Sequence, residues 1–201
     1  NLYEAVSKNR ATALAFSMKQ TKEIVHANVI NRATTAGYVG GDGVVLASAS
    51  HPTLSGNQSN ILTVAADLSE SAIEDMLTQI MGAQNNRGRQ INLMGEKLIV
   101  PRQLFFEANR ILKSTLQNDT ANNAVNALKA TNALPGGIVM NHYLTDADPW
   151  GIKTNCPEGL ISQTRMALEF DKDNDFNTKN ALASAVERYT VGWVDWRSLF
   201  W

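Results

Sequence analysis

Met166–Trp196 reads MALEFDKDNDFNTKNALASAVERYTVGWVDW, and the reading of this stretch decides the fold. Apolar residues alternate at Met166, Leu168 and Phe170 and again at Tyr189, Val191 and Trp193, the two-residue period of a β-strand. The polar segment Asp171–Asn180 then becomes the connecting loop of a hairpin. Its aspartates at alternate positions, Asp171, Asp173 and Asp175, raise a calcium reading. A helix–loop–helix calcium site needs glycine at loop position six and glutamate at position twelve, and Phe176 and Leu182 stand there instead. The simpler account is a structural corner, since Asp and Asn tolerate tight turns. Four carboxylates against Lys172 give Glu169–Asp175 a net charge of minus three, which calls for solvent or for a basic partner across an interface.

Outward from the hairpin, the 201-residue chain is ordinary in composition, 44% hydrophobic and 18% charged, enough for a sizeable core. Eighteen Lys and Arg balance nineteen Asp and Glu, so no overall basic field draws it to nucleic acid or to an anionic membrane. The single Cys156 cannot close an intrachain disulfide and reads as a small, partly buried apolar residue. No apolar run approaches the roughly 20 residues that span a bilayer, and no signal segment opens the chain. The expectation is a protein that is neither membrane-borne nor secreted. On that ground the acceptor patterns Asn57-Gln58-Ser59 and Asn118-Asp119-Thr120 read as chance matches. Opening on Asn1, seemingly inside an element, the chain is expected to lack an N-terminal part.

From Leu2 to Arg32 there is neither Pro nor Gly, and Leu14, Met18, Thr21, Val25 and Asn28/Val29 fall at helical spacing, with Lys8, Lys19, Lys22 and Arg32 elsewhere on the surface. One long helix of roughly 45 Å follows at about 1.5 Å per residue. Four glycines between Gly37 and Gly43 end it and mark a boundary; their order matches no phosphate-binding motif. Val44–Ala47 reads as a short strand and Ser48–Asn60 as a polar loop around His51-Pro52. Asp67-Leu68-Ser69-Glu70 has the form of a capping box, followed by the stripe Ile73, Met76, Leu77, Ile80 and a stop at Gly82. Beyond a turn at Asn85–Gly88, Lys97–Val100 reads as a buried strand and Pro101 as the first turn of a helix burying Leu104, Phe105, Ala108, Ile111 and Leu112. A turn-rich stretch over 117–123, a short helix over 124–130, a turn at Pro135–Gly137 and the strand Ile138–Met140 complete an α+β middle. Trp150–Lys153 reads as one more strand before Pro157-Glu158-Gly159 leads to the hairpin.

Catalytic readings are weak. His142, Asp146 and Asp148 could contribute metal ligands, yet no second His or Cys lies near to complete a set. Ser48, Ser50 and His51 are neighbours without a nucleophile-elbow motif, and Cys156 with His142 is looser still. The chain is read as no enzyme, with no cofactor. Trp193, Trp196, Phe200 and Trp201 form an aromatic cluster that serves either the core or a subunit contact.

A series of segments in fixed order carries a resemblance. They run from Thr21-Lys22-Glu23 and Ala27-Asn28-Val29-Ile30-Asn31, through Asp42-Gly43-Val44 and Ser50-His51-Pro52, to Ala66-Asp67-Leu68-Ser69-Glu70. Lys97-Leu98-Ile99-Val100-Pro101 and Arg110-Ile111-Leu112-Lys113-Ser114 follow, then Asn141-His142-Tyr143-Leu144-Thr145-Asp146 and Leu168–Phe176. Together they resemble the major capsid proteins of tailed bacteriophages with the Hong Kong 97 fold, most of all the Mu-like major head subunits. The resemblance implies an α+β capsid fold with residues 1–36 as spine helix of a peripheral domain, 37–164 as axial domain, and 165–201 as the peripheral hairpin and C-terminal return. It implies hexamers and pentamers closing an icosahedral shell, assembled in the host cytoplasm around double-stranded DNA that is touched only weakly and without specificity. Scaffold, portal or decoration proteins are the implied accessory partners. A non-viral nanocompartment or gene-transfer particle is the alternative on the same fold, and a metal-dependent enzyme using His142, Asp146 and Asp148 the alternative outside it. The implied subunit-interface residues are Asp171, Asp173, Asp175, Asn180 and Glu187. In the prototype a loop lysine crosslinks to an asparagine with help from a glutamate; Asn180 and Glu187 occupy roughly similar places here, while the lysine's loop is missing.

Overall fold

The computed structural model describes residues 2–117, 124–178 and 180–201. Most of the stretch read as turn-rich over 117–123, with the Asn118 acceptor pattern, lies outside the described residues.

Helix α1 spans Leu2–Asn31. It carries no broad apolar face: Val6, Phe16 and Ile24 are exposed, and a half-buried stripe at Ser7, Ala11, Leu14, Met18, Lys22, Val25 and Val29 lies on one side. That stripe keeps the expected spacing but includes Lys22, which sequence reading assigned to the surface, and omits the exposed Thr21. The reason is an acidic partner, described below. Two long antiparallel strands, β6 (Leu160–Asn174) and β7 (Ala181–Trp193), form a ribbon that runs against α1 through β7. At about 3.3 Å per residue, β6 extends roughly 50 Å, a length comparable to the helix that backs it. Register shifts between Thr164 and Met166 and between Met166 and Glu169 mark irregularities that bend such a ribbon and increase its twist.

The rest of the chain builds a packed body. A four-stranded mixed sheet has the order β4 (Ile138–Asn141), β3 (Gly95–Pro101), β5 (Gly151–Thr154), β8 (Leu199–Phe200), with β3 and β4 parallel and the other pairs antiparallel. Helices α2 (Glu70–Met81), α3 (Phe105–Lys113) and the short α4 (Ala127–Ala130) supply apolar residues to its core. Ser69 caps α2 by accepting from the Ala72 N–H at 3.2 Å. Ile73, Met76, Leu77 and Ile80 are buried as their period requires, meeting Leu98, Val100, Ile152 and Phe200. A second cluster joins the body to the rod, uniting Ala33, Leu46, Ala47, Ile99, Trp196 and Leu199. Among the described residues no helix is long and apolar enough to cross a membrane.

Four local expectations change. Val44–Ala47 is no strand: it contributes one bridge, Val39 to Val45, and its apolar character serves burial of Leu46 and Ala47. The stretch read as a polar loop holds a small hairpin, β1 (His51–Thr53) with β2 (Gly56–Gln58), whose polar side chains bond one another. Pro101 ends strand β3 opposite Asn141 instead of opening a helix, which begins at Phe105. Finally, the short helix read over 124–130 is confined to Ala127–Ala130. The C-terminal residues return to the body as the fourth strand of its sheet. Close approach there demands glycine. A Cβ on Gly151 would sit 2.3 Å from the Trp201 ring, and one on Gly40 would sit 2.0 Å from the ring of Trp193.

Candidate subunit interface

The ribbon exposes both faces along most of its length, with Phe170, Phe176, Leu182 and Val186 all substantially open. A two-stranded ribbon is marginal alone in water, and here α1 covers only part of it. Between the N-terminal half of α1 and the ribbon tip lies an open cleft of about 820 Å³, its walls including Arg10, Leu14, Asp173, Asn180 and Leu182.

The acidic segment is divided by the fold. Asp171 and Asp173 lie in β6, opposite Ser184 and Leu182, rather than in the loop, and the turn itself is confined to 175–180. The physical reason is the partner strand: the backbone of Ala181–Ser184 stands opposite Asp171–Asn174, and ladder bonds between backbones do not depend on side-chain polarity, so pairing extends past the point where composition turns polar. Asp171 and Asp173 are exposed, and their carboxylates accept from the next backbone N–H, at 2.8 and 2.7 Å. Asp175 works inside the turn. It accepts from the Thr178 hydroxyl at 2.6 Å and the Asn177 N–H at 3.0 Å, while its own N–H donates to the Asn180 carbonyl at 2.9 Å. The Thr178 hydroxyl above all, with the Asn177 amide, holds the Asp175 carboxyl below the usual carboxylate range.

Glu187 is buried on the helix-facing side of β7, where it pairs with Lys22 of α1. The same ammonium lies 5.2 Å from the Tyr189 ring centre, and His26, one turn further along α1, stacks on that ring and bonds Ser162 at 2.9 Å. Lys22, Glu187, Tyr189, His26 and Ser162 thus bolt the ribbon to α1 within one subunit. Helical spacing revealed none of this, because a lysine at a stripe position gives no sign of a partner 165 residues away.

The other candidate residues disperse. Asp146 accepts from the backbone of Ala147 and Asp148 in a local turn, and His142, Asp146 and Asp148 do not converge. Among the described residues, no group of three or more His, Cys, Asp or Glu stands where it could hold a metal ion. Cys156 is half-buried, and burial, aided by Asp195, pushes its thiol up to about 11. Of the aromatic cluster, Trp196 and Phe200 are buried in the body while Trp193 and Trp201 pack at the edge of the second core. Residues that sequence reading passed over include Asn60, fully buried, and Arg197, whose guanidinium is held by Gln58, Asn86, Asp195 and the Gln84 carbonyl.

The described residues thus form a packed body bearing a long helix and a ribbon with uncovered faces. Residues 2–201 match the family model described as phage capsid protein, and the chain belongs to that family. Among solved structures it is similar to a protein of Mycobacterium phage Che8, at 18% identity and a TM-score of 0.48 over 98% of this chain and 61% of that one. It is also similar to the virus-like particle of Pyrococcus furiosus, at 13% identity and a TM-score of 0.44 over 69% of this chain and 53% of that one. The chain therefore spans between about half and three-fifths of the length of these structures. No curated protein matches it.

Proposed function

We infer that this chain is a shell-forming head subunit of the Hong Kong 97 type, in the Mu-like branch. In this reading α1 is the spine of the peripheral domain and β6–β7 its long hairpin. The α+β region over residues 37–164 is the axial domain, and the C-terminal return of 165–201 pairs with its sheet. Hexamers and pentamers close an icosahedral shell in the host cytoplasm and enclose double-stranded DNA. Scaffold, portal or decoration proteins join them in the virion. The role is assembly rather than turnover.

The observation that carries this is the pairing of family membership with a ribbon some 50 Å long that its own subunit covers only in part. Such a surface is stable in number and not alone, because apolar side chains such as Phe170 and Leu182 lose their contact with water only against another subunit. Asp171 and Asp173 project from the ribbon near its tip, and the reading gives them a basic surface on a neighbour. Near-neutral net charge suits a container that surrounds DNA without gripping it.

Electron microscopy of the expressed full-length protein tests the assembly directly. Closed particles of uniform diameter are expected, and only monomers or small oligomers would count against it. Nuclease-protected double-stranded DNA in particles from infected cells supports the viral reading; a protein cargo in its place points to a nanocompartment.

A further inference from the structure

Along the ribbon, what lies between β7 and α1 changes from large side chains to small ones. Glu187 and Tyr189 fill the space beside Lys22 and His26. Nearer the turn, Ala183 on β7 and Ala11 on α1 are too short to close the gap, and the cleft of about 820 Å³ opens there. Leu14 and Leu182 give it apolar walls. Among the described residues that line it, Lys8, Arg10 and Lys172 stand against the single carboxylate of Asp173. The cleft thus combines apolar surface with an excess of positive charge.

The turn that joins β6 to β7 has the opposite charge and the same apolar character. Phe176 has 82% of its surface open, Asp175 precedes it, and Asp171 lies four residues before that in β6. None of these three lines the cleft, although Asn174 and Asn180, which flank the turn, both do. Knob and hollow therefore sit side by side at one end of the ribbon, complementary in charge and alike in apolar character.

We propose that the turn of one copy seats Phe176 in the cleft of a second copy, with Asp171 and Asp175 set against the cations there. The contact rests on the shell-subunit function proposed above and names the surface that covers the ribbon tip. Turn and cleft are different parts of one subunit's surface, so the contact is head to tail. Any pair of copies keeps one turn and one cleft for further copies, and a ring closes where the rotation between copies allows it. Phe176 then leaves water against Leu14 and Leu182, a burial that a lone subunit does not achieve.

Oxidative footprinting of the full-length wild type tests the contact without any substitution. On passing from free subunits to particles, Phe176 and Leu182 should become protected together. Protection of one without the other gives turn or cleft a different occupant and overturns the proposal. Particles in which both react as they do in free subunits overturn it too and leave the shell function standing, whereas a protein that forms no particles overturns both. Co-expression of Leu14→Cys and Phe176→Cys subunits tests the pairing itself. Oxidised mixed particles should yield a covalent dimer that neither variant yields alone. Intact mixed particles with no such dimer refute the pairing, and a dimer from Phe176→Cys alone shows a turn-to-turn contact in its place. Phe176→Ala should raise the subunit concentration needed for assembly about tenfold, the effect of losing most of one buried aromatic side chain, and leave the unfolding midpoint of the subunit unchanged. Assembly at the wild-type concentration refutes the contact.

Discussion

The α/β body and the rod-and-ribbon differ in how they dispose of apolar surface. In the body, Leu98, Val100, Ile152 and Phe200 have at most 1% of their surface open, and the sheet meets α2 and α3 with helical and strand periods in agreement. In the rod-and-ribbon, Phe16, Phe170, Phe176, Leu182 and Val186 lie open, and polar bonds such as Lys22–Glu187 do much of the joining. One region is finished within the chain. The other leaves apolar surface open, which the function proposed above assigns to neighbouring subunits, and that difference separates residues expected to keep the subunit folded from those expected to make it a building block.

The comparison is tested most strongly by Leu98→Ala in the body. A cavity at a fully buried site costs about 2–5 kcal/mol, so chemical denaturation should show a much-reduced midpoint or an insoluble subunit. On the ribbon, Glu187→Gln removes a charge-assisted bond worth about 1–3 kcal/mol. Hydrogen exchange along β7 should speed up while the body strands β3 and β5 keep their protection. Equal loosening of both would merge the two regions into one cooperative unit.

A still smaller change in stability is expected from the double reversal Asp171→Lys with Asp173→Lys. Both sites are exposed, so unfolding should shift by no more than about 0.5 kcal/mol, yet particle yield by sedimentation should fall sharply. Loss of fold and of particles together would contradict the interface role.

The smallest effect belongs to Asp175. Its carboxyl is held below its ordinary value by Thr178 and Asn177, so what the turn gains is present above about pH 4 and is lost as pH falls through the lowered folded value. Amide shifts of Asn177 and Thr178 should titrate in that acid window in the wild type and stay level in Asp175→Asn.

Much of this architecture was open to reading from periodicity. The helix over 2–31, the capped helix behind Ser69, the strands around Leu98 and Val139, and the two arms of the ribbon each depend on a local pattern, although burial follows that pattern closely only in the body and leaves Val139 and Phe170 open. What escaped depended on partners distant in sequence. Asp171 and Asp173 belong to a strand because Ser184 and Leu182 stand opposite them, although Asp is a poor strand former. His51 and Asn60 look like loop residues until the C-terminus arrives 136 and 139 positions later to accept hydrogen bonds from Asn60.

By itself the sequence determined where helices and strands could form, that the chain had a core to bury, and, through its ordered segments, the family it resembles. These follow from side-chain period and backbone propensity, which act over a few residues. Only the tertiary structure decided that Lys22 faces Glu187, that the last residues close the sheet beside β5, and that a buried histidine is held between a carboxylate and an amide. The first two join segments distant in sequence, and all three are polar contacts that local side-chain period does not encode. Their stability comes from burial and mutual orientation, and neither exists until the chain has folded.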